Sequence, residues 1–191
     1  MKISMACDHA GFELKQHLAE LLRKAGHEVL DFGCNSSDPV DFVDHVYPAA
    51  LALSEARCDR AVLVDGAGYP SGIVANMLPG VFAAVANDPV SARLSREHSD
   101  ANALCVGGRI VGTALADEIV TTWLAAGFLG GKYAVRVEKV RRLAEKHRRG
   151  VADQPRKVVT VQDVRDALTR KRSLLMDDST ILTPSVLDLT R

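Results

Sequence analysis

The sequence predicts an α/β protein, an open parallel sheet with helices on both faces. Three observations carry this. Apolar runs of strand length alternate with amphipathic helical stretches along most of the 191 residues. One run, R-A-V-L-V, has the unbroken apolar character of a central strand buried on both sides. Asp, His or Gly follows the strand runs at Asp8-His9, Asp65-Gly66 and Gly107-Gly108, and the carboxyl edge is where such sheets hold their ligands.

The elements follow in order. Ile3 to Cys7 is the first strand and runs through D-H-A-G into a helix. In that helix Leu14, Leu18, Leu21, Leu22 and Ala25 share one face, Glu13, Lys15, Glu20 and Lys24 lie off it, and Gly26 supplies a left-handed stop. H-E-V-L-D-F reads as the second strand, Tyr47 to Ala56 as a helix, and R-A-V-L-V as the third strand, with Asp65 at its end. A short helix is expected from Ser71 to Met77, then a fourth strand from Val81 to Val85. Pro89 to His98 is a helix opened by proline in its first turn, and A-L-C-V is the fifth strand. Helices from about Gly112 to Ala125 and from about Val135 to Arg148 complete the body.

After Gly150 the pattern changes. V-A-D-Q-P-R-K is a polar linker, and V-T-V-Q-D-V-R-D-A-L begins as a capped helix with Thr160 and Asp163 in place and Val161, Val164 and Leu168 as its apolar stripe. Thr183 before Pro184 suits the N-cap and first position of a short final helix. The expected organisation is a body over 1–149 and a linker with C-terminal extension over 150–191.

Composition narrows the function classes. Lys plus Arg and Asp plus Glu stand at 24 each, so no net field draws the chain to nucleic acid or an anionic membrane. An anion must be held by local placement. No stretch has the length of a membrane span, and M-K-I-S-M-A-C-D is too soon charged for a signal peptide, so a cytoplasmic protein is expected. Cys7, Cys34, Cys58 and Cys105 form no C-x-x-C pair and read as reduced, mostly buried thiols, not as a metal site or disulfide framework.

Three loops converge on the carboxyl edge. Asp8 and His9 in the first are candidates for substrate contact, and Asp8 alternatively caps the following helix. The second, D-G-A-G-Y-P-S-G, has glycines that let backbone N–H groups face a small concavity, suited to an anion or oxyanion. It lacks both the Lys-Ser/Thr ending of a nucleotide P-loop and the full G-x-G-x-x-G spacing. In the third, S-R-E-H-S-D-A-N-A-L-C-V-G-G-R, His98 can give and take a proton near neutral pH, or sit as a surface histidine favoured by a helix C-terminus. Asn102 and Arg109 flank the fifth strand and either bond sugar hydroxyls or tie loops together.

Taken together, D-H-A-G, D-G-A-G-Y-P-S-G-I-V-A-N, S-R-E-H-S-D-A-N and V-G-G-R-I-V-G resemble the ribose-5-phosphate isomerase B family and its galactose-6-phosphate isomerase relatives, over about Lys2 to Arg149. The resemblance implies a Rossmann-like three-layer sandwich with a five-stranded parallel sheet, no metal, no organic cofactor, and a homodimer or dimer of dimers with active sites between subunits. It implies interconversion of an aldose phosphate and its ketose through a cis-enediolate. His98 would help open the furanose ring, Asp8 and His9 would contact sugar and phosphate, and the amides of Gly66, Ala67, Gly68, Tyr69 and Pro70 would form an anion hole. Ser99, Asn102, Arg109, Lys132 and Arg136 match positions around the family's substrate and phosphate contacts.

The chain departs from the family pattern at the site. Asp65 stands where many members carry a cysteine base; a carboxylate raised in pKa by partial burial can take that role, and the galactose-type branch also uses Asp there. Ala67 lacks the usual Thr hydroxyl, Pro70 removes one N–H, Phe42 stands for a Tyr, and Lys132 replaces an Arg, losing bidentate phosphate geometry. Three readings follow: a ribose 5-phosphate isomerase with Asp65 as base, an isomerase for a six-carbon galactose-type or a four-carbon sugar phosphate, and a sugar-phosphate-binding protein without catalysis. The extension, with I-L-T-P-S-V-L-D-L, is similar to tails that address enzymes to bacterial microcompartments, or else packs on the dimer.

Overall fold

The computed structural model describes residues 1–152, 158–159, 161–171, 173–174, 176 and 180–182. The chain divides into two compact units, Met1–Arg141 and Arg142–Arg191. In the first unit five strands, β1 (Lys2–Cys7), β2 (Glu28–Asp31), β3 (Arg60–Asp65), β4 (Ala83–Val85) and β5 (Ala103–Gly107), form one sheet in the order β2-β1-β3-β5-β4. Every pairing is parallel, as the alternation of strand and helix requires. The connections run to opposite sides of the β1/β3 pair, which makes that pair the switch point where a ligand crevice opens.

Helices α1 (Phe12–Lys24), α2 (Phe42–Ser54), α3 (Tyr69–Asn76), α4 (Pro89–Ser99), α5 (Thr113–Ala125) and α6 (Lys132–Ala152) connect and follow these strands. Strand periodicity sorts the core into two layers. Met5, Cys7, Val62, Val64, Leu104 and Val106 face Leu14, Leu18, Leu22, Ile119 and Trp123 of α1 and α5. The alternate residues Ala6, Ala61, Leu63, Ala103 and Cys105 face Val46, Ala49, Leu53 and Ala75 of α2 and α3. Each fully buried Leu or Ile contributes about 1.5–3 kcal/mol, and the second layer is built largely of alanine, so α2 and α3 approach the sheet closely.

Lys15 overturns part of the α1 pattern. It was expected off the apolar face, yet it is fully buried and its Nζ donates to Asp31 Oδ1 at 2.7 Å, Asp31 Oδ2 at 2.8 Å and the Cys34 carbonyl at 2.9 Å. Full pairing is what makes such a burial tolerable. α2 also begins earlier than expected, at Phe42 and not at Tyr47. Asp41 caps it through the Val43 N–H at 2.9 Å, and Pro48 lies inside the helix. The loop hydrogen bonds of Phe82 and Val81 trim β4 to Ala83–Val85, and α3 starts at Tyr69 because Gly68 sits at φ 83 as its N-cap.

The second unit holds β6 (Val158–Val159), α7 (Val161–Thr169) and β7 (Ile181–Leu182), with β6 and β7 parallel. The helix read at V-Q-D-V-R-D-A-L is therefore present, while Thr160, Thr183 and Pro184 lie outside the described residues. No described helix is long and apolar enough to cross a membrane.

Candidate active site

The carboxyl edge is assembled by backbone contacts between loops. The Gly108 N–H donates to the Asp65 carbonyl at 2.7 Å, Arg109 N–H to the Gly66 carbonyl at 3.1 Å, and Asp8 N–H to the Val64 carbonyl at 3.2 Å. Gly108 leaves no space for a side chain, since a Cβ there would stand 3.0 Å from the Ala10 carbonyl oxygen and 3.0 Å from the Gly11 Cα. The loops after β1, β3 and β5 are thus bound into one surface.

Asp8 Oδ1 accepts the Gly11 N–H at 2.9 Å, which braces the turn ahead of α1. It is not the N-cap; Gly11 is, and it makes no side-chain cap. His9 Nδ1 accepts the Val40 N–H at 3.3 Å, so the neutral ring carries its proton on Nε2. His9, Ser37, Gly108, Arg109 and Thr113 line a cavity of about 340 Å³. α5 also starts there from Gly112, again without a side-chain cap. The N-termini of α1 and α5 therefore border the same cavity as an imidazole, two hydroxyls, a guanidinium and the Glu13 carboxylate; the helix ends and Arg109 supply the positive potential a phosphate group needs.

The Gly-rich loop differs from expectation. Asp65 is 1% exposed. Its Oδ1 accepts the N–H groups of Ala67 at 2.9 Å and Gly68 at 2.6 Å, and its Oδ2 accepts the Ser71 N–H at 2.8 Å. Two amides assigned to a substrate anion hole are thus occupied by the carboxylate of the same loop. The cause is the left-handed Gly68, at φ 83, which turns the loop back over the end of β3. Oδ2 has the single acceptor bond and keeps the less crowded lone pair. Beside it the buried Ser71 Oγ has no partner among the described residues. Tyr69, by contrast, is 59% exposed.

His98, Ser99, Arg136, Phe82 and Tyr133 line a second cavity, also of about 340 Å³. His98 lies nearly parallel to Tyr133, with ring centroids 4.2 Å apart and planes 8° from one another. Lys132 Nζ stands 5.2 Å and the Arg136 guanidinium 5.7 Å from the centre of the same ring. Asn102 has a structural occupation: its Oδ1 accepts the Phe82 N–H at 2.8 Å and its Nδ2 donates to the Gly80 carbonyl at 2.8 Å. Of the two roles open to it, tying loops together is the one seen.

The residues picked from sequence therefore fall into two groups within one protomer. Asp8, His9, Asp65 to Pro70 and Arg109 share the sheet edge, while His98, Ser99, Lys132 and Arg136 surround or border the second cavity. Tyr133, Ser37 and Thr113 were not singled out. Tyr133 follows Lys132 in G-G-K-Y, and its neighbourhood to a matched cation was the available signal. Among the described residues, no three His, Cys, Asp or Glu side chains are grouped to hold a metal ion. Burial pushes the Cys7 thiol up to about 12, with Cys34 Sγ at 3.5 Å adding to the rise, and raises the Cys105 thiol further.

The family model for Ribose/Galactose Isomerase matches residues 3–140, and with them every loop just described. The chain belongs to this family. It is 41% identical to ribose-5-phosphate isomerase B of Escherichia coli strain K12 over 139 residues, 73% of this chain and 93% of that protein. A solved structure of Clostridium thermocellum ribose-5-phosphate isomerase B has 44% identity and a TM-score of 0.75, covering 77% of this chain and 99% of the other. D-erythrulose-4-phosphate isomerase of Pectobacterium atrosepticum is 33% identical over 142 residues, 73% of this chain and 93% of its own. The protein is a sugar-phosphate isomerase by membership, and the matched region stops before the second unit.

Proposed function

We propose that the protein interconverts ribose 5-phosphate and ribulose 5-phosphate, with Asp65 as the base. The observation that carries this reading is a dianion-sized cavity, bordered by His9, Arg109 and two helix N-termini, bound through the Gly108 and Arg109 backbone to the loop that holds Asp65. Phosphate at that cavity fixes one end of a short sugar. Asp65 Oδ2 takes the proton from C2 of the aldose, and the C–H pair forms the C1–C2 double bond of a cis-enediolate with the charge on O1. The O2 hydroxyl proton passes to O1, and the same carboxylate oxygen returns its proton to C1 as the C2 carbonyl forms. The two N–H bonds to Oδ1 hold the carboxylate plane during both transfers. Because the loop covers Asp65, the residues from Gly66 to Pro70 must yield for the substrate carbon to reach it.

The pairing of two cavities in one chain supports a homodimer that joins them. Tyr69 and Ile73 of α3 and Met77 at its C-cap, four residues apart, are 59%, 68% and 78% exposed among the described residues and form an apolar stripe. Burial of that stripe against a second copy is the reading we adopt, with the His98 cavity of one protomer serving the His9 cavity of the other. Residues 150–191 then act as an interaction or targeting tail, outside the matched family region.

The test is turnover of ribose 5-phosphate, galactose 6-phosphate and erythrose 4-phosphate by the wild type and by Asp65→Asn. Asn keeps one acceptor oxygen but cannot accept a proton at the position of the second. The expected result is ribose 5-phosphate turnover lost by about a hundredfold or more in the variant with ligand binding retained. Undiminished turnover in the variant removes Asp65 as the base, and a wild type that turns over only another sugar phosphate reassigns the substrate.

A further inference from the structure

We infer that Tyr133 is a positioning residue for His98, holding its imidazole plane for ring opening. The inference rests on the isomerase reading above and extends it to a residue outside the matched motifs. The two rings lie 4.2 Å apart between centroids and only 8° from parallel, so the face of His98 is covered by a rigid neighbour and rotation about its Cβ–Cγ bond meets the phenol. The two ring nitrogens lie at the edge, where stacking leaves them available for in-plane proton transfer. Lys132 and Arg136 stand 5.2 and 5.7 Å from the Tyr133 ring centre, so the phenol is itself gripped by two cations one helical turn apart.

The base of α6 is held independently. Arg141 reaches Asp100 at 3.5 Å and lies 5.6 Å over the Phe82 ring, while Asp100 also accepts from Arg96 at 3.0 Å. Asp100 follows His98 by two residues, so this ion network ties the end of α4 to the helix that carries Tyr133. The stack and the network together place His98 relative to α6 from two sides. A proton donor in ring opening must be aimed at the ring oxygen, and misplacement by about 1 Å costs on the order of a hundredfold.

The chemistry supplies its own control. Ribose 5-phosphate closes to a furanose through O4 and must be opened; His98 gives a proton to O4 as the C1–O4 bond breaks, the anomeric hydroxyl releases its proton to water, and the C1 carbonyl forms. Erythrose 4-phosphate carries its phosphate on O4, cannot form that ring, and skips the step. Loss of the phosphate contacts that the family resemblance assigns to Lys132 or Arg136 would impair both substrates, whereas loss of His98 placement impairs the cyclic one alone.

The experiment compares wild type, Tyr133→Phe and Tyr133→Leu on both sugars, and records the His98 Hε1 resonance by NMR. Expected are a kcat on ribose 5-phosphate lowered about ten- to a hundredfold in Tyr133→Leu, near wild-type turnover in Tyr133→Phe, erythrose 4-phosphate ratios unchanged, and an upfield-shifted Hε1 that relaxes only in Tyr133→Leu. An active wild type whose Tyr133→Leu variant is equally fast, or slows equally on both sugars, overturns the inference alone. A wild type inert toward ribose 5-phosphate overturns the functional reading, and the inference with it.

Discussion

Replacing Lys15 by Met is expected to cost about 3 kcal/mol of folding free energy. The side chain is fully buried, and its ammonium donates three hydrogen bonds, two to Asp31 and one to the Cys34 carbonyl. Met fills similar space, so the loss is electrostatic and not a cavity. Removing one partner of a buried pair leaves the other uncompensated, a cost of about 3–5 kcal/mol. The lower end applies because Asp31 is 25% exposed and still accepts the Gly33 N–H at 2.9 Å, so water and backbone take up part of the charge. For a chain of this length the loss lowers Tm by about 6–12 °C. Urea unfolding of Lys15→Met, Asp31→Leu and the double variant measures it as a double-mutant cycle. The double variant should recover most of the loss, because a buried ion pair and an apolar pair are of comparable worth. A single-variant cost below about 1 kcal/mol, or a double variant as unstable as the sum of the singles, would show that the pair does not hold β2 to α1 as argued.

Three further outcomes are expected. The Cys7 thiol is neutral in the folded protein up to about pH 12, whereas an unfolded thiol ionises near 9, so the stability it contributes is full below pH 9 and is lost as pH rises toward 12. Thermal unfolding from pH 8 to 11 should show this decline, and Cys7→Ala should flatten it; an unchanged alkaline slope refutes the assignment. Ile73→Glu places a charge in the exposed α3 stripe and should convert a dimer to monomer in sedimentation while lowering turnover at least tenfold. Turnover that survives in a monomer would sink the shared-site reading. Removal of residues 151–191 should leave isomerase kcat within about twofold, since the matched family region ends before them, and should abolish co-localisation with a shell or cargo if they form a targeting tail. A large fall in kcat or in oligomer size would assign them to the dimer instead.

Local physics made much of the fold legible. Strand runs such as A-V-L-V and the leucine face of α1 need only side-chain period and apolar content to be read, and both elements stand where they were expected. The start of α2 rests on an equally local feature, the Asp41 cap, and the helix tolerates Pro48 in its interior. Lys15 was misplaced because periodicity treats every lysine as solvent-seeking. Its burial depends on Asp31 and the Cys34 carbonyl, which lie sixteen and nineteen residues away along the chain.

The site divides in the same way. By itself the sequence determined which residues stand at the strand ends, because a parallel sheet delivers all those ends to one edge and D-H-A-G, D-G-A-G and V-G-G-R each follow a strand run. Only the tertiary structure decided what those groups bind. It turned the Ala67 and Gly68 amides onto Asp65, bound Asn102 to Phe82 and Gly80, and laid Tyr133 on His98. The reason is physical: a residue's place in a strand or helix follows from short-range sterics and apolar period, whereas hydrogen-bond partners and ring stacks depend on distances between elements that packing alone sets.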